Sequence, residues 1–81
     1  MNLTSVYVVE DATTENINKL ARVFNQEMDD VVSKLTQFIW YVHWSNGKFI
    51  LDVETDEKLF DMRYRNYNVY TLSTEEILEK F

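Results

Sequence analysis

The chain has a single glycine, a single histidine, and neither cysteine nor proline. Phosphate-binding loops and dinucleotide-binding turns need several glycines, because the backbone must approach the ligand closely and adopt positive φ. Without cysteine there is no disulfide framework, and one histidine leaves only carboxylates as metal ligands. This inventory predicts no cofactor, and it favours a binding role over catalysis.

His43 is the only candidate for a general base near neutral pH. Nucleophilic catalysis would also need a nucleophile and an orienting group at a suitable spacing, and the sequence indicates neither. We therefore predict that His43 has no catalytic or metal-binding role and that the protein is not an enzyme.

Carboxylates occur in two groups that could in principle collect a hard cation. Neither has the spacing of a calcium loop, which also needs a glycine at its turn. Both are interpreted as solvating charge, and no metal site is predicted. The groups are Glu27, Asp29 and Asp30, and Asp52, Glu54, Asp56 and Glu57.

Length and charge limit the class of protein and of partner. The length of 81 residues predicts one domain, residues 1–81. A hydrophobic content of 46% predicts that this domain is folded, because disordered chains are poor in apolar residues. A net charge of −6 disfavours nucleic acid and anionic membranes as direct partners. No secretion signal is expected in the first residues, and a reducing cytoplasm is the expected compartment.

The first half of the chain predicts a strand followed by a long helix. Residues 6–9 form a β-branched and aromatic run, and Thr13 or Thr14 offers a helix N-cap. Apolar residues then recur every three or four positions to residue 38, which predicts a helix over about 14–36. Such a helix would be roughly 30 Å long. Its apolar seam suits packing on a sheet or, alternatively, on a second helix.

Asn46-Gly47 between two alternating apolar runs is the strongest hairpin signal in the chain. A two-residue loop there pairs Ser45 with Lys48 and Trp40 with Val53. One hairpin face is then apolar and includes Trp40, Val42 and Trp44, and the other face is mixed. We expect the apolar face to lie under the long helix.

The last third of the chain alternates less regularly. Residues 59–72 fit either one bent strand or two short strands around Arg65-Asn66, of which we favour strands near 61–65 and 67–72. Ser73 and Glu76 then form a capping box that opens a short helix. The predicted fold is α+β, with a β-α-β-β-β(β)-α order and an antiparallel sheet that carries one long helix on one face.

Two neighbouring segments are the candidate partner-binding surface. Tyrosine and arginine are enriched at interface hot spots, and carboxylates complement a basic partner. Interleaved arginine and tyrosine can stack on single-stranded bases, but two arginines in a chain of net charge −6 cannot provide an electrostatic track for nucleic acid. The candidate residues are Asp52, Glu54, Asp56, Glu57, Arg63, Tyr64, Arg65, Tyr67 and Tyr70.

Carboxylates at phosphate-like intervals can occupy a nucleic-acid-binding groove and block it. Small acidic phage proteins that neutralise host nucleases or restriction systems are similar in size, charge and lack of cysteine. This similarity is one of composition and involves no sequence motif. The sequence therefore predicts a non-catalytic protein-binding module, a small acidic inhibitor of a larger protein with a basic surface. The alternative is a structural homodimer formed through the helix seam or the mixed sheet face.

Overall fold

Four strands form one mixed sheet in the computed structural model, which describes residues 4–81. The strands are β1 (Ser5–Val9), β2 (Ile39–Ser45), β3 (Lys48–Glu54) and β4 (Asn68–Leu72), in the spatial order β3-β2-β1-β4. β1 pairs with β2 and β2 with β3 in antiparallel fashion, whereas β1 and β4 are parallel. The α+β class is confirmed, and the expectation of a purely antiparallel sheet is wrong.

Three short helices pack on the two faces of this sheet. They are α1 (Thr14–Val23), α2 (Glu57–Arg63) and α3 (Thr74–Lys80). α1 and α3 cover one face, where Ile17, Leu20 and Ile77 are buried together with Trp40 and Val42. α2 covers the other face, where Phe60 and Tyr64 pack on Val6 and Tyr41.

The β2–β3 hairpin has the predicted register along its whole length, from Ile39 opposite Glu54 to Ser45 opposite Lys48. Asn46 and Gly47 form the two-residue loop with φ of 51° and 84°. Both central residues of this tight hairpin turn need positive φ, which asparagine and glycine adopt at low cost. The register is therefore set by the conformational preference of Asn46 and Gly47 together with the separation of apolar and mixed residues onto the two hairpin faces.

The predicted helix over 14–36 is wrong beyond Val23, because the backbone reverses at Asn25. Asn25 has a φ of 54°, and its N–H donates to the carbonyl of Arg22. The N–H of Gln26 donates to the carbonyl of Ala21 at 2.8 Å, which completes a Schellman-type helix end. The roughly 30 Å seam expected for a helix–helix dimer is therefore absent.

Residues 26–38 follow an irregular path that includes one 3₁₀ turn, Val32–Lys34. Met28, Val32 and Leu35 still pack against the core. The apolar spacing therefore correctly indicates that these residues are buried, although they do not lie in an α-helix. The indole Nε1 of Trp40 donates to the Leu35 carbonyl at 2.9 Å and ties this segment to the sheet.

Trp44 is 52% exposed, in contrast to the prediction that the long helix covers it. Its side chain shares a hairpin face with Trp40 and Val42, as the register requires. Since α1 ends at Val23, no helix of residues 4–81 extends over this end of the hairpin. The predicted register of Trp44 is therefore confirmed, and its predicted burial is wrong.

The predicted strand near 61–65 is a helix, α2, and the predicted strand over 67–72 corresponds to β4. Asp56 caps α2 by accepting hydrogen bonds from the backbone of Lys58 and Leu59. α2 crosses beneath the sheet from β3 to β4, which lie at opposite edges, and this crossover makes β4 parallel to β1. It also covers the mixed hairpin face, the second surface considered for a homodimer.

α3 begins with the predicted capping box. The Ser73 hydroxyl accepts from the Glu76 N–H at 3.2 Å, and the Glu76 carboxylate accepts from the Ser73 N–H at 3.0 Å. Ile77 is fully buried on its inner face. Among the helices of residues 4–81, none has the length and hydropathy that crossing a membrane requires.

Candidate protein-binding surface

Two of the four candidate carboxylates on β3 and its loop serve the start of α2. Asp56 is the N-cap, and Glu54 accepts from the Asp56 N–H at 3.0 Å. Glu54 also lies 3.6 Å from the Arg63 guanidinium, and its side chain is mostly buried. Both residues therefore stabilise the local fold, which limits what they can offer a partner.

Asp52 and Glu57 are more accessible. Asp52 accepts from the Val53 N–H at 2.8 Å, and its second oxygen lies 3.4 Å from Nε2 of His43. That nitrogen is shielded from solvent and has no well-oriented hydrogen-bond partner within residues 4–81. Glu57 is exposed in the first turn of α2. Negative charge is favourable there because of the helix dipole.

The helical conformation of residues 57–63 places Tyr64 in the interior. Tyr64 is only 6% exposed and packs against Tyr41, Phe60 and Tyr67 with ring centroids 4.9–5.2 Å apart. Burial raises the pKa of the Tyr64 phenol, and its hydrogen bond with Tyr41 raises that pKa further. Tyr64 is thus a core residue that supports the surface above it, and it does not offer contact area itself.

Arg63 connects α2 to the sheet. Its Nη1 donates to the Tyr41 hydroxyl at 3.3 Å, and this hydrogen bond raises the pKa of the guanidinium. Its side chain is about half exposed, and Arg65 and Tyr67 are exposed beside it. Arg63 and Tyr67 therefore remain available on the α2 side of the sheet, and Arg65 is exposed in the turn between α2 and β4.

Tyr70 lies on the opposite face of the sheet. Its ring stacks on Tyr7 at a centroid distance of 5.7 Å, and Tyr7 packs against the core beneath α1 and α3. The candidate residues consequently do not form one patch. The structure brings Asp52, Glu54, Asp56, Arg63 and Tyr67 around α2 and leaves Tyr70 on the far side.

Two exposed apolar residues of α2 were missed by the sequence reasoning. Leu59 is 48% exposed and Met62 is 64% exposed, three residues apart on the helix. Both lie in the stretch 59–72, for which the sequence predicts one bent strand or two short strands. The signal for α2 was present, because Asp56 can act as an N-cap and Phe60 and Tyr64 are spaced four apart.

An aromatic groove near the hairpin loop was also missed. It has a volume of about 450 Å³. Phe49, one of the rings that line it, contacts the exposed ring of Trp44 edge-on. The groove is open because α1 ends at Val23 and the chain reverses at Asn25. The groove is lined by Val23, Phe24, Asn25, Lys48, Phe49 and Phe81.

Several carboxylates elsewhere also accept backbone hydrogen bonds. Asp11 accepts from Thr74, Asp29 from Val31, and Glu76 from Ser73. Much of the acidic charge therefore sits at turns and helix starts. Residues 4–81 contain no group of three or more His, Asp or Glu side chains placed to hold a metal ion.

Comparisons with protein-family models, with curated proteins and with solved structures give no match to this chain. The functional assignment accordingly depends on the surface itself.

Proposed function

We propose that the protein is a non-catalytic protein-binding module that docks on a larger partner through an α2 surface. This surface comprises the apolar side chains of Leu59, Met62 and Tyr67 and the carboxylates of Glu57 and Asp61. The observation that carries the proposal is the exposure of Leu59 and Met62 on a helix whose other face already buries Phe60 and Tyr64. Adjacent exposed apolar side chains with a charged border are typical of interaction sites.

The partner's chemistry follows from the charges around these residues. The exposed charges on and beside α2 are mixed: Glu57 and Asp61, which have no ion pair among residues 4–81, and the cations Lys58, Arg63 and Arg65. The carboxylates and the net charge of −6 on the whole chain favour a basic partner. An apolar pocket ringed by lysine or arginine would complement this arrangement. The apolar contact would supply most of the affinity, and the carboxylates would steer the encounter.

Function as a small acidic inhibitor is part of the proposal. A basic surface with apolar pockets is what a nucleic-acid-binding protein presents to its ligand. Occupation of that surface by the α2 surface would exclude the nucleic acid. Because Asp56 and Glu54 hold α2 in place, their roles in binding would be indirect.

The test uses affinity capture from host lysate with three baits. Wild type and Val31→Ser, which changes another exposed apolar side chain in the loop before the 3₁₀ turn, should enrich the same protein. Leu59→Ser/Met62→Ser should lose it. Retention of that protein by the double variant, or enrichment of no protein by wild type, would contradict the proposal.

Purified partner then separates the two parts of the α2 surface. Glu57→Gln/Asp61→Asn should slow association and flatten its dependence on salt, whereas Tyr67→Ala should mainly speed dissociation. Glu15→Gln/Glu79→Gln removes the same charge from α1 and α3, away from both proposed surfaces, and is the matched control. Inhibition is read directly as loss of nucleic-acid binding by the partner. If the partner binds nucleic acid equally well with and without the protein, the inhibitor role is wrong.

A further inference from the structure

The two edges of the sheet differ in how their backbone groups are used. On the β3 edge, the Gln26 side chain exchanges two hydrogen bonds with the Leu51 backbone, at 2.7 and 2.9 Å. β3 also carries the charged residues Lys48, Asp52 and Glu54. Covered groups and charges of this kind prevent a strand from pairing with another chain.

The β4 edge has neither protection. Asn68–Leu72 contains no charged residue and no proline, and Val69 and Tyr70 are each 47% exposed. The Asn68 N–H donates to Thr4, and the Leu72 carbonyl accepts from Glu10, so both residues face β1. The alternate residues Val69 and Thr71 therefore direct their backbone groups away from the sheet.

Within residues 4–81, the open part of this edge is limited to residues 69–71. The neighbouring amide of Tyr67 donates to the Tyr64 carbonyl, and that of Ser73 donates to Glu76. Four backbone groups remain for a partner strand, the N–H and C=O of Val69 and of Thr71. An uncharged, partly apolar edge of this kind favours pairing with another strand.

We propose that a second copy of the chain pairs with β4 in antiparallel fashion, about a two-fold axis at Tyr70. Val69 of each copy then exchanges hydrogen bonds with Thr71 of the other, so all four open groups are satisfied. A two-fold axis at Val69 or at Thr71 would instead bring in the amide of Tyr67 or of Ser73, which is already bonded. Backbone pairing thus selects one register.

Charge supports the same arrangement. Arg65 and Glu75 each lie five residues from Tyr70, on opposite sides, and neither forms an ion pair within residues 4–81. At each end of the paired strands, the two-fold axis brings the turn that carries Arg65 in one copy toward the start of α3, which carries Glu75, in the other. The exposed Tyr70 rings, each stacked on its own Tyr7, meet at the axis.

The dimer would be closed. Pairing of two β4 edges joins two four-stranded sheets into one, and its outer edges are the β3 strands, whose Leu51 backbone groups are already bonded to Gln26. A two-fold pairing therefore ends at two copies and does not continue into a fibre. It differs from both homodimers expected from the sequence, and it does not depend on the proposed binding function.

Sedimentation equilibrium of the purified protein tests the proposal, at concentrations up to about 1 mM so that weak pairing is populated. Wild type should approach twice the 9.8 kDa chain mass. Thr71→Pro removes only an outward N–H and should be a folded monomer. Arg65→Glu should weaken the dimer, and Arg65→Glu/Glu75→Arg should restore it. Leu59→Ser/Met62→Ser should remain dimeric. A monomeric wild type would overturn the proposal.

A cross-link tests the register even if Thr71→Pro fails to fold. The chain has no cysteine, so Tyr70→Cys carries a single thiol. Opposed residues of a non-hydrogen-bonded antiparallel pair have Cα atoms about 4.5 Å apart, within reach of a disulfide. Under mild oxidation Tyr70→Cys should form a covalent dimer quickly, and the exposed control Trp44→Cys should not. Equal cross-linking of both variants, or dimerisation lost only in Leu59→Ser/Met62→Ser, would refute β4 pairing.

Discussion

Asp11 and Thr74, 63 residues apart in the chain, are joined by two hydrogen bonds. One carboxylate oxygen of Asp11 accepts from the Thr74 N–H at 2.7 Å and from its hydroxyl at 2.8 Å. Thr74 is almost fully buried, so both of its donors depend on this partner. The contact fixes the start of α3 beside the end of β1.

Asp11→Ala should lower the free energy of unfolding by about 2 kcal/mol, because it leaves two buried donors of Thr74 without an acceptor. Urea unfolding followed by circular dichroism measures the change. Glu10→Ala, which removes an exposed neighbouring carboxylate, should change stability little. Equal effects of the two substitutions would show that the contact contributes nothing specific.

The two tryptophans should differ sharply. Trp40→Ala should cost about 4 kcal/mol, because it opens a core cavity and leaves the Leu35 carbonyl without its indole partner. Trp44→Ala should cost about 1 kcal/mol, mainly the edge contact with Phe49. Acrylamide quenching gives an independent check. Fluorescence of Trp44→Phe, which retains Trp40, should be protected, and that of Trp40→Phe should be quenched readily.

Asn25 should tolerate glycine and resist alanine. Its φ of 54° is accessible to glycine without strain, whereas a β-carbon without a polar side chain is disfavoured there. We expect Asn25→Ala to lose about 1 kcal/mol in urea unfolding and Asn25→Gly to remain close to wild type. If alanine proved as stable as glycine, the left-handed end of α1 would be incorrect.

Stability should fall at alkaline pH in a manner that depends on Tyr64. A tyrosine in the unfolded chain ionises near its ordinary pKa of 10, whereas burial raises the pKa of Tyr64 in the folded protein. Above pH 10 the unfolded state therefore loses this proton first, and the free energy of unfolding decreases by about 1.4 kcal/mol per pH unit. Below pH 10 the contribution is fully present.

Tyr64→Phe should have lower stability at neutral pH, because it loses the phenol's hydrogen bonding, and a flatter decline between pH 10 and 11. Tyr67→Phe is the matched control, since Tyr67 is exposed. Urea unfolding at a series of pH values measures both slopes. Parallel curves for wild type and Tyr64→Phe would exclude Tyr64 as the titrating group.

Local chemistry explains which parts of the fold could be predicted. The hairpin register and the α3 capping box each depend on a few residues. The backbone conformations that these residues favour agree with the pattern of apolar residues around them. The end of α1 could not be predicted in this way, because the apolar spacing of the helix continues past it through Met28, Val32 and Leu35. Those residues reach the core from an irregular segment, and only the left-handed conformation of Asn25 separates the two outcomes.

The placement of the candidate surface residues depends on the same kind of ambiguity. Alternation of Phe60, Met62 and Tyr64 suggested a strand, but Phe60 and Tyr64 are also one helical turn apart. Tertiary packing decides between strand and helix, because the helix places Phe60 and Tyr64 against Tyr41 on the mixed hairpin face. The choice exposes Met62, buries Tyr64, and moves Tyr70 to the other side of the sheet. None of this could be obtained from spacing alone.

The parallel pairing of β1 with β4 also bears on the order of folding. The β2–β3 hairpin closes over a two-residue loop, whereas Ser5 must find Asn68 across most of the chain. Closing so long a loop costs entropy before any contact compensates for it. We expect the hairpin to be formed in the folding transition state and the β4 strand to join last. The strand with the open edge would then be the last to be secured and the first to detach during unfolding.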